Sequence, residues 1–308
     1  MASLFENLTA RQLDALPRKQ TVFFYPVASL EDHGPHLPLG LDLFESEKLC
    51  HLAALALEEQ QAGWSGVVMP RAPLGIQTNT TRVAFPVRAH VLRDWLVDSS
   101  SELARLGFKQ FVCFAGNPSP RDLTAIEEAG KSLRRRAVPF SLLRLFKKWV
   151  DLPVLVSARS GLATPQEVRR APFFPQPVEH GGARDTAVAL GLVPEMVAPE
   201  YAALTAQVED SSGIGRFWKR RRHEIHGYWG APAEAQVDED SLRLRAIVDE
   251  AMPKLRAVWS GSSPEALFRS WYSVLLPNKS FFKAWMMALA AGALMLFWVY
   301  FSLQALLN

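Results

Sequence analysis

The chain has few cysteines, little net charge and none of the signatures of several common enzyme classes. Only Cys50 and Cys113 occur in 308 residues, so we expect no disulfide framework and place both in the core. A net charge of +3 excludes a strongly basic nucleic-acid-binding protein. The sequence contains no internal repeat, no phosphate-binding glycine pattern and no Gly-x-Ser-x-Gly turn, which argues against nucleotide enzymes and serine hydrolases. The amino terminus lacks the features of a secretory signal.

Apolar residues are abundant and follow an alternating order of strand-like and helical patterns. Hydrophobic residues make up 49% of the chain and charged residues 21%, which is typical of a folded protein with an ample core. Strand-like runs occupy residues 21–28, 66–69 and 110–115, with helical patterns between them. This order predicts an α/β fold with a mostly parallel sheet flanked by helices.

A loop rich in acids and histidines follows the first of these strands and carries Glu31, His33 and Asp42. Ligands in open α/β sheets bind outside the carboxyl ends of the strands, where this loop is expected to lie. Carboxylates and an imidazole together suit zinc or manganese, and shared carboxylates are typical of sites with two ions. A surface loop whose side chains cap turns, with Asp42 as the N-cap of the next helix, explains the same residues equally well.

The amino-acid sequence of this loop, residues 26–42, closely resembles the signature loop of the creatininase (creatinine amidohydrolase) family. Residues 107–117 resemble the family's strand leading into an Asn-Gly-His-Gly-Gly-Asn turn. Residues 179–187 resemble its His-Ala-Gly-x-x-Glu-Thr-Ser segment, and residues 227–232 resemble its late Gly-x-x-Gly-x-Pro turn. The resemblance covers about residues 20–255 and implies the layered creatininase fold.

Carried over by position, the resemblance implies that Glu31, His33 and Asp42 are metal ligands, with Asp42 bridging two ions. Asn117 stands where the family's turn has a histidine, and Asp185 stands where its later segment has a glutamate. Because an Asn carbonyl is a weak zinc ligand, the ion nearest Asn117 is expected to be loosely bound or missing. The ion held by His33, Asp42 and Asp185 is expected to be the tighter one. The implied cofactor is one or two zinc or manganese ions.

Catalytic and substrate-binding roles are also implied by the resemblance. His180 matches the family's histidine beside the metal, which implies a proton shuttle in the hydrolysis of a C–N bond. A hydrogen-bonded structural histidine is the alternative. Arg184, between His180 and Asp185, either binds a substrate carboxylate or neutralises the acidic cluster. The family's Phe-Pro-Gly-Thr loop appears here as residues 84–88, without its glycine and threonine.

These residues predict a metal-dependent hydrolase of a non-peptide amide, cyclic amides included, with a small-molecule amide as the substrate. The resemblance also implies a homo-oligomer. The competing hypothesis is a relative that kept the fold but lost the chemistry, and that now serves as a binding or scaffolding subunit at the membrane. Asn117, Val87 and Ala183 are the substitutions that favour this alternative. Metal stoichiometry separates the two hypotheses, because only the enzyme needs a tightly bound ion.

A second pattern lies near the other end of the chain, where residues 284–307 form an uncharged apolar run. As a helix, this run would extend about 36 Å, enough to cross the hydrocarbon core of a bilayer. Lys279 and Lys283 precede the run, which predicts a single-pass C-terminal anchor with the main domain in the cytoplasm. The expected organisation is a creatininase-like domain over 1–258, a juxtamembrane segment over 259–283 and a transmembrane helix over 284–307.

Positive charge is clustered at residues 134–136, 147–148 and 219–222. Such clusters suit anionic headgroups and predict membrane lipid as a second partner. A solvated helix or loop is the alternative explanation for the cluster at 219–222. The stretch 140–150, which contains the cluster at 147–148, is explained by core packing, an interfacial helix or a partner surface. No nucleic-acid partner is expected.

Overall fold

The structure is a computed structural model, described here over residues 3–76, 78, 83–116, 119–137, 152–159, 179–207, 226–268 and 279–307. The described strands are β1 (Ser3–Leu4), β2 (Thr21–Val27), β3 (Ser65–Val68), β4 (Gln110–Ala115) and β5 (Val154–Ser157). The described α-helices are α1 (Ala10–Ala15), α2 (Leu41–Gln60), α3 (Ala89–Arg105), α4 (Pro120–Ala137), α5 (Ala183–Leu192), α6 (Val237–Trp259), α7 (Pro264–Leu267) and α8 (Lys279–Leu307).

The strands form one sheet in the order β1-β3-β2-β4-β5, and every described pairing is parallel. In the central strand β2, Val22 lies opposite Gln110 of β4 and Thr21 lies opposite Ser65 of β3. The predicted α/β fold with a parallel sheet is confirmed. Of the three predicted strands, the one at 110–115 has the predicted bounds, and the other two differ by one residue at their ends. The short strands β1 and β5 at the two edges are additional.

The central strand separates two hydrophobic cores, since successive side chains of a strand point to opposite faces of the sheet. Val22 and Phe24 pack on the side of α2 and α6. Phe23 and Tyr25 pack on the side of α3 and α4, where the Phe23 ring meets Phe108 edge-on at 4.9 Å. Burying each such side chain stabilises the fold by about 1.5–3 kcal/mol. Helices on both faces therefore hold β2 firmly, and the loop that leaves its carboxyl end starts from a rigid position.

The amino end of α2 lies directly beside the carboxyl end of β4. Asp42 is in the first turn of α2, and Gly116 follows the last residue of β4. A Cβ atom at Gly116 would overlap the carbonyl oxygen of Asp42, so only glycine permits this approach. Asp185 lies in the first turn of α5. The acidic residues of two helix amino ends are thus placed near the strand ends, where helix dipoles favour negative charge.

The helix α8 contains 29 residues and includes the predicted transmembrane segment. Its side chains are described without interruption only from Met287 to Tyr300, and all of these are exposed. A membrane-spanning helix needs about 20 apolar residues. Within the described residues, no helix is both long and apolar enough to cross a bilayer. This finding overturns the predicted transmembrane helix, the C-terminal anchor and the membrane localisation.

Of the three basic clusters, the structure describes the one at residues 134–136. Arg134 is buried at 6% exposure on α4, and Arg136 pairs with Asp98 at 2.6 Å, so part of the first cluster serves the fold. Residues 147–148 and 219–222 lie outside the described residues. The predicted domain boundaries stay predictions, although α6 ends at Trp259, next to the expected boundary.

Candidate metal centre

The loop after β2 is closed by hydrogen bonds that turn its acidic and histidine side chains inward. The Glu31 backbone N–H donates to the carbonyl oxygen of Leu39 at 3.1 Å. Oδ1 of Asp32 accepts a hydrogen bond from the Gly34 N–H at 2.9 Å, and Gly34 has a φ of 95°, which favours glycine. As a result, Glu31 is fully buried and His33 is 1% exposed.

His33 and Asp42 face each other across this buried space. Nδ1 of His33 lies 3.0 Å from the carbonyl oxygen of Glu31, which can only accept, so Nδ1 carries a proton. Nε2 of His33 lies 3.4 Å from Oδ1 of Asp42. Two ligand atoms bound to one tetrahedral zinc ion are about 3.3 Å apart. The other oxygen of Asp42, Oδ2, is buried and has no hydrogen-bond partner among the described residues, as expected of a bridging ligand. This pair therefore fits a metal ion.

The pKa values of the pair show how strongly negative the pocket is. Burial lowers the pKa of His33, but the charges of Asp42, Asp185 and Glu31 raise it to about 10. Burial raises the pKa of Asp42, but His33 holds it below its ordinary value. A proton on His33 is therefore held by the same carboxylates that would attract a divalent cation.

His180 lies against His33 and is held by a backbone carbonyl. Its Nε2 is 2.7 Å from the carbonyl oxygen of Asp32, so Nε2 carries the proton and Nδ1 keeps a lone pair. The ring packs against His33 at 4.3 Å and Trp229 at 4.7 Å, measured between ring centroids, with the ring planes tilted by 33° and 35°. Burial and the neighbouring His33 lower the pKa of His180 to about 4, so the ring is neutral near pH 7. Glu31, His33 and His180 offer ligand atoms that lie within 4.8 Å of one another.

Asp185 is held by two donors on its own side of the pocket. Its Oδ2 accepts from the Gly181 backbone N–H at 2.7 Å, and its Oδ1 lies 3.2 Å from Nη2 of Arg184. Burial raises the pKa of Asp185, but Arg184 and then His33 and His180 lower it, with a net lowering. Each carboxylate oxygen still has a second lone pair for a metal ion. Asp185 therefore interacts with both histidines while keeping the capacity to bind metal.

The structure brings five of the six predicted site residues into one buried cluster: Glu31, His33, Asp42, His180 and Asp185. Asn117 lies outside the described residues, so its proposed weak metal contact stays a prediction. The individual ligand and catalytic roles of the other five also stay predictions. The residues 84–88 lie beside the loop, since Ala84 bridges to Glu31 and the Phe85 N–H donates to the Leu30 carbonyl oxygen at 2.9 Å.

Two contacts around the cluster were missed by sequence reasoning. Oε1 of Glu45 lies 3.2 Å from Nη1 of Arg159, and burial raises the pKa of Glu45. Nε2 of His36 donates to Oγ1 of Thr186 at 2.9 Å, because that hydroxyl itself donates to the Gly182 carbonyl oxygen. Glu45 follows Asp42 by one helical turn, so helical spacing would have placed it near the site. The other partners are distant in sequence and carry no local signal.

A family model and several solved structures are similar to this chain, and all of them carry the name creatininase or creatinine amidohydrolase. A family model described as "Creatininase: Creatinine amidohydrolase" matches residues 6–255, whereas no curated protein sequence gives a match. A solved creatinine amidohydrolase (creatininase) is 18% identical, with 87% of this chain and 98% of that chain covered and a TM-score of 0.58. A structure named "Creatininase Mn" is 19% identical, with coverage of 87% and 100% and a TM-score of 0.58. A putative creatinine amidohydrolase from Bacteroides fragilis NCTC 9343 is 16% identical, with coverage of 84% and 97% and a TM-score of 0.59.

These structural similarities confirm the predicted creatininase-like fold. A further solved neighbour is a creatininase mutant described as Zn-Zn type, at 18% identity and a TM-score of 0.59. The family model confirms the prediction of an enzyme of the amidohydrolase class. The names of two solved neighbours mention manganese and zinc, the two metals that the sequence of this chain predicts. Because the family model spans most of the sequence, from residue 6 to residue 255, the chain belongs to the creatininase family.

Proposed function

We propose that this protein is a metal-dependent hydrolase that cleaves the C–N bond of a small, non-peptide amide, cyclic amides included. The observation that carries the proposal is the buried pair of His33 and Asp42 beyond the carboxyl end of β2, in which Oδ2 of Asp42 has no hydrogen-bond partner among the described residues. Glu31, His33, Asp42 and Asp185 would hold one or two zinc or manganese ions. When bound, such an ion polarises an amide carbonyl and lowers the pKa of water towards neutrality.

In this proposal His180 moves the proton. Its Nε2–H is fixed by the Asp32 carbonyl oxygen, so Nδ1 is the atom that accepts a proton from water and returns it to the leaving nitrogen. Packing against His33 and Trp229 fixes the ring and keeps bulk water from its faces. The reaction adds one water molecule across the C–N bond, which leaves a carboxylic acid and an amine. In a cyclic amide, both groups remain in one product.

The substrate class is supported by a solved neighbour, a mutant creatininase complexed with creatine, at 20% identity and a TM-score of 0.60. Creatine is a small carboxylic acid with a guanidine group, and joining these two groups with loss of water gives a cyclic amide. A small-molecule amide is accordingly the substrate we propose here. The expected homo-oligomer stays a prediction. The second candidate is a non-catalytic binding or scaffolding subunit, and it is favoured by the changed residues Asn117 and Asp185 at family ligand positions.

Metal content is the first test. The full-length protein is purified without chelator or added metal and analysed for zinc and manganese by mass spectrometry. The Asp42→Ala variant removes the predicted bridging ligand, and Asp14→Ala is the matched control, because Asp14 is 69% exposed in a pair with Arg18. Circular dichroism verifies that all three proteins are folded.

The proposal expects one or two equivalents of metal in the parent and in Asp14→Ala, and loss of metal in Asp42→Ala. A panel of linear and cyclic amides is then tested for metal-dependent hydrolysis. Equal metal content in all three proteins would show that the site assignment is wrong. Absence of metal from the parent, even after reconstitution with zinc or manganese, would support the binding subunit instead.

A further inference from the structure

Arg184 is a guanidinium fixed at the edge of the metal cluster by two acidic neighbours. Its backbone N–H donates to Oε1 of Glu179 at 2.8 Å, which anchors the start of α5. Its Nε and Nη2 lie 3.3 and 3.2 Å from Oδ1 of Asp185. One edge of the planar guanidinium is therefore directed at a predicted metal ligand, and the orientation of the whole group is set.

The Arg184 side chain is partly open to solvent. The Arg184 side chain is 39% exposed, whereas that of Asp185 is 10% exposed. Within the part of the chain that the structure describes, Nη1 of Arg184 makes no hydrogen bond. Because a guanidinium carries five N–H donors, this leaves donors available next to the buried cluster.

A purely structural arginine near the same cluster looks different. Arg159 is 14% exposed, and its Nη1 contacts Glu45 and the carbonyl oxygens of Ala115 and Gly116. Its charge and donors are used inside the protein. Arg184 instead pairs with a single carboxylate oxygen through Nε and Nη2, and its side chain stays 39% exposed.

With a metal ion in the cluster, the neighbouring carboxylates would no longer neutralise the positive charge of Arg184. The carboxylates that interact with it are Asp185, Glu45 and Glu179, and of these Glu45 already pairs with Arg159. A divalent cation on Asp185 would take up the negative charge that Arg184 now balances. The partly exposed guanidinium, with Nη1 unused among the described residues, would then offer positive charge to an incoming molecule. A planar guanidinium matches a carboxylate, which accepts two parallel N–H bonds.

We propose that Arg184 binds a carboxylate group of the substrate, so that the amide hydrolysed at this centre is anionic. An N-acyl amino acid and a cyclic amide with a carboxylate substituent are examples of this class. The inference rests on the proposed hydrolase function and specifies its substrate. Arg184 is then a specificity-determining residue rather than a neutralising one.

The test uses metal-binding probes and needs no known substrate. Acetohydroxamate binds metal through its hydroxamate group and carries no other charge, whereas the monohydroxamates of malonic, succinic and glutaric acid add a carboxylate at three distances. Binding of each probe to the zinc-loaded full-length protein is measured by isothermal titration calorimetry. We expect at least one carboxylate probe to bind about tenfold more tightly than acetohydroxamate, since hydrogen bonds between charged groups are strong.

Three variants separate recognition from general charge effects. In Arg184→Met, the affinity ratio of the best carboxylate probe to acetohydroxamate is expected to fall to about one, and in Arg184→Lys it is expected to fall only in part, because lysine keeps the charge without the planar fork. Arg105→Met is the matched control, because Arg105 is 71% exposed on α3. It is expected to keep the full ratio. Metal content is measured for every protein, and Arg184→Gln replaces Arg184→Met if the latter fails to fold or to hold zinc.

The outcomes distinguish this inference from the function on which it rests. If acetohydroxamate binds but no carboxylate probe binds more tightly, or if the gain persists in the uncharged Arg184 variants, the carboxylate proposal is wrong and the metal centre stands. If none of the hydroxamates binds to the zinc-loaded protein, the bound ion is not open to a substrate, and the hydrolase function and the carboxylate site are both wrong. A gain in affinity for a carboxylate probe that is lost in the uncharged Arg184 variants supports both the metal centre and the carboxylate site.

Discussion

Glu45 and Arg159 form an ion pair with 3.2 Å between Oε1 and Nη1, and both side chains are at least 85% buried. The same Nη1 group donates to the carbonyl oxygens of Ala115 and Gly116, at 3.3 and 3.1 Å. The pair therefore joins α2, one turn after Asp42, to the carboxyl end of β4. It sets the separation of two segments that carry predicted metal ligands.

We expect Arg159→Met to lower the free energy of unfolding by about 3 kcal/mol, because it leaves the buried Glu45 without its partner. Weaker zinc binding should accompany this loss. Chemical denaturation and zinc titration measure the two effects. The double variant Glu45→Gln/Arg159→Met should recover part of the stability, since no unpaired charge remains. A single variant as stable as the parent would show that the pair does not fix these segments.

Asn117→His should raise the metal content of the purified protein, because imidazole is a better zinc ligand than an amide carbonyl. The increase is expected to approach one equivalent, in the site shared with Glu31 and Asp42. Elemental analysis measures it, with Asn117→Ala as the control that removes the side chain without offering a new ligand. Unchanged zinc content in Asn117→His would mean that this position does not face the metal cluster.

Zinc binding should release a proton near pH 8, because the pKa of His33 in the metal-free protein is about 10 and a metal needs the lone pair on Nε2. The apparent zinc affinity is then expected to rise about tenfold per pH unit between about pH 7 and 9. Stability of the metal-free protein follows the opposite trend. The raised pKa stabilises it fully below about pH 6.5, and this contribution is lost as pH rises through about 10.

Calorimetry in buffers of different ionisation enthalpy measures the proton release directly. Heats of zinc binding that do not depend on the buffer would contradict the ion pair between His33 and Asp42. Denaturation of the metal-free protein at several pH values checks the stability trend independently.

Gly181→Ala should abolish zinc retention and destabilise the protein by about 1–3 kcal/mol. Gly181 has a φ of 59°, and a Cβ atom there would overlap the carbonyl oxygen of His33. The matched control is Gly63→Ala, which has a φ of 81° but no atom within 4 Å of the added Cβ. The control bears only the backbone strain and should keep its zinc. Equal zinc content in the two variants would show that the close approach of Gly181 to His33 is not needed for zinc binding.

Cys50 and Cys113 should not react with a thiol reagent in the folded protein. Both are fully buried, and burial raises the pKa of each thiol. Reaction is expected only as fast as the protein opens, because the thiolate is the reactive form. A colorimetric thiol assay with and without denaturant measures this difference. Rapid labelling of the native protein would show that the cores on either side of β2 are open.

The central part of the fold follows from local sequence patterns, whereas the edges of the sheet do not. The apolar runs of β2, β3 and β4 are long enough to be recognised, and the order of strands and helices predicts the parallel sheet. Strand β1 has two residues and β5 has four, so neither produces a clear periodic signal. Their pairing depends on contacts that are remote in sequence.

In the candidate site too, some residues are positioned by local sequence and others by contacts that are remote in sequence. Glu31, His33 and Asp42 belong to one continuous loop and helix start, so their proximity is encoded locally. The position of His180 depends on the fold, since the carbonyl oxygen that holds it belongs to Asp32, far away in sequence. His180 is therefore predicted as a site residue by the family resemblance, and sequence spacing alone does not predict it.

For the apolar run at 284–307, the sequence predicts the helix correctly but not the membrane crossing. Its composition predicts a long helix, and α8 is present over Lys279–Leu307. Crossing a membrane was a further step that rested on hydropathy alone, and no helix in the described part of the chain meets that requirement.

Two peptide carbonyls, those of Glu31 and Asp32, determine which nitrogen of His33 and of His180 carries a proton. A peptide carbonyl is present whatever side chain stands at a position. Exchange of ligands, such as asparagine for histidine at 117 or aspartate for glutamate at 185, therefore leaves both imidazole tautomers unchanged. In this fold, metal preference can change through the side chains while the main chain keeps the two imidazoles in the same orientation.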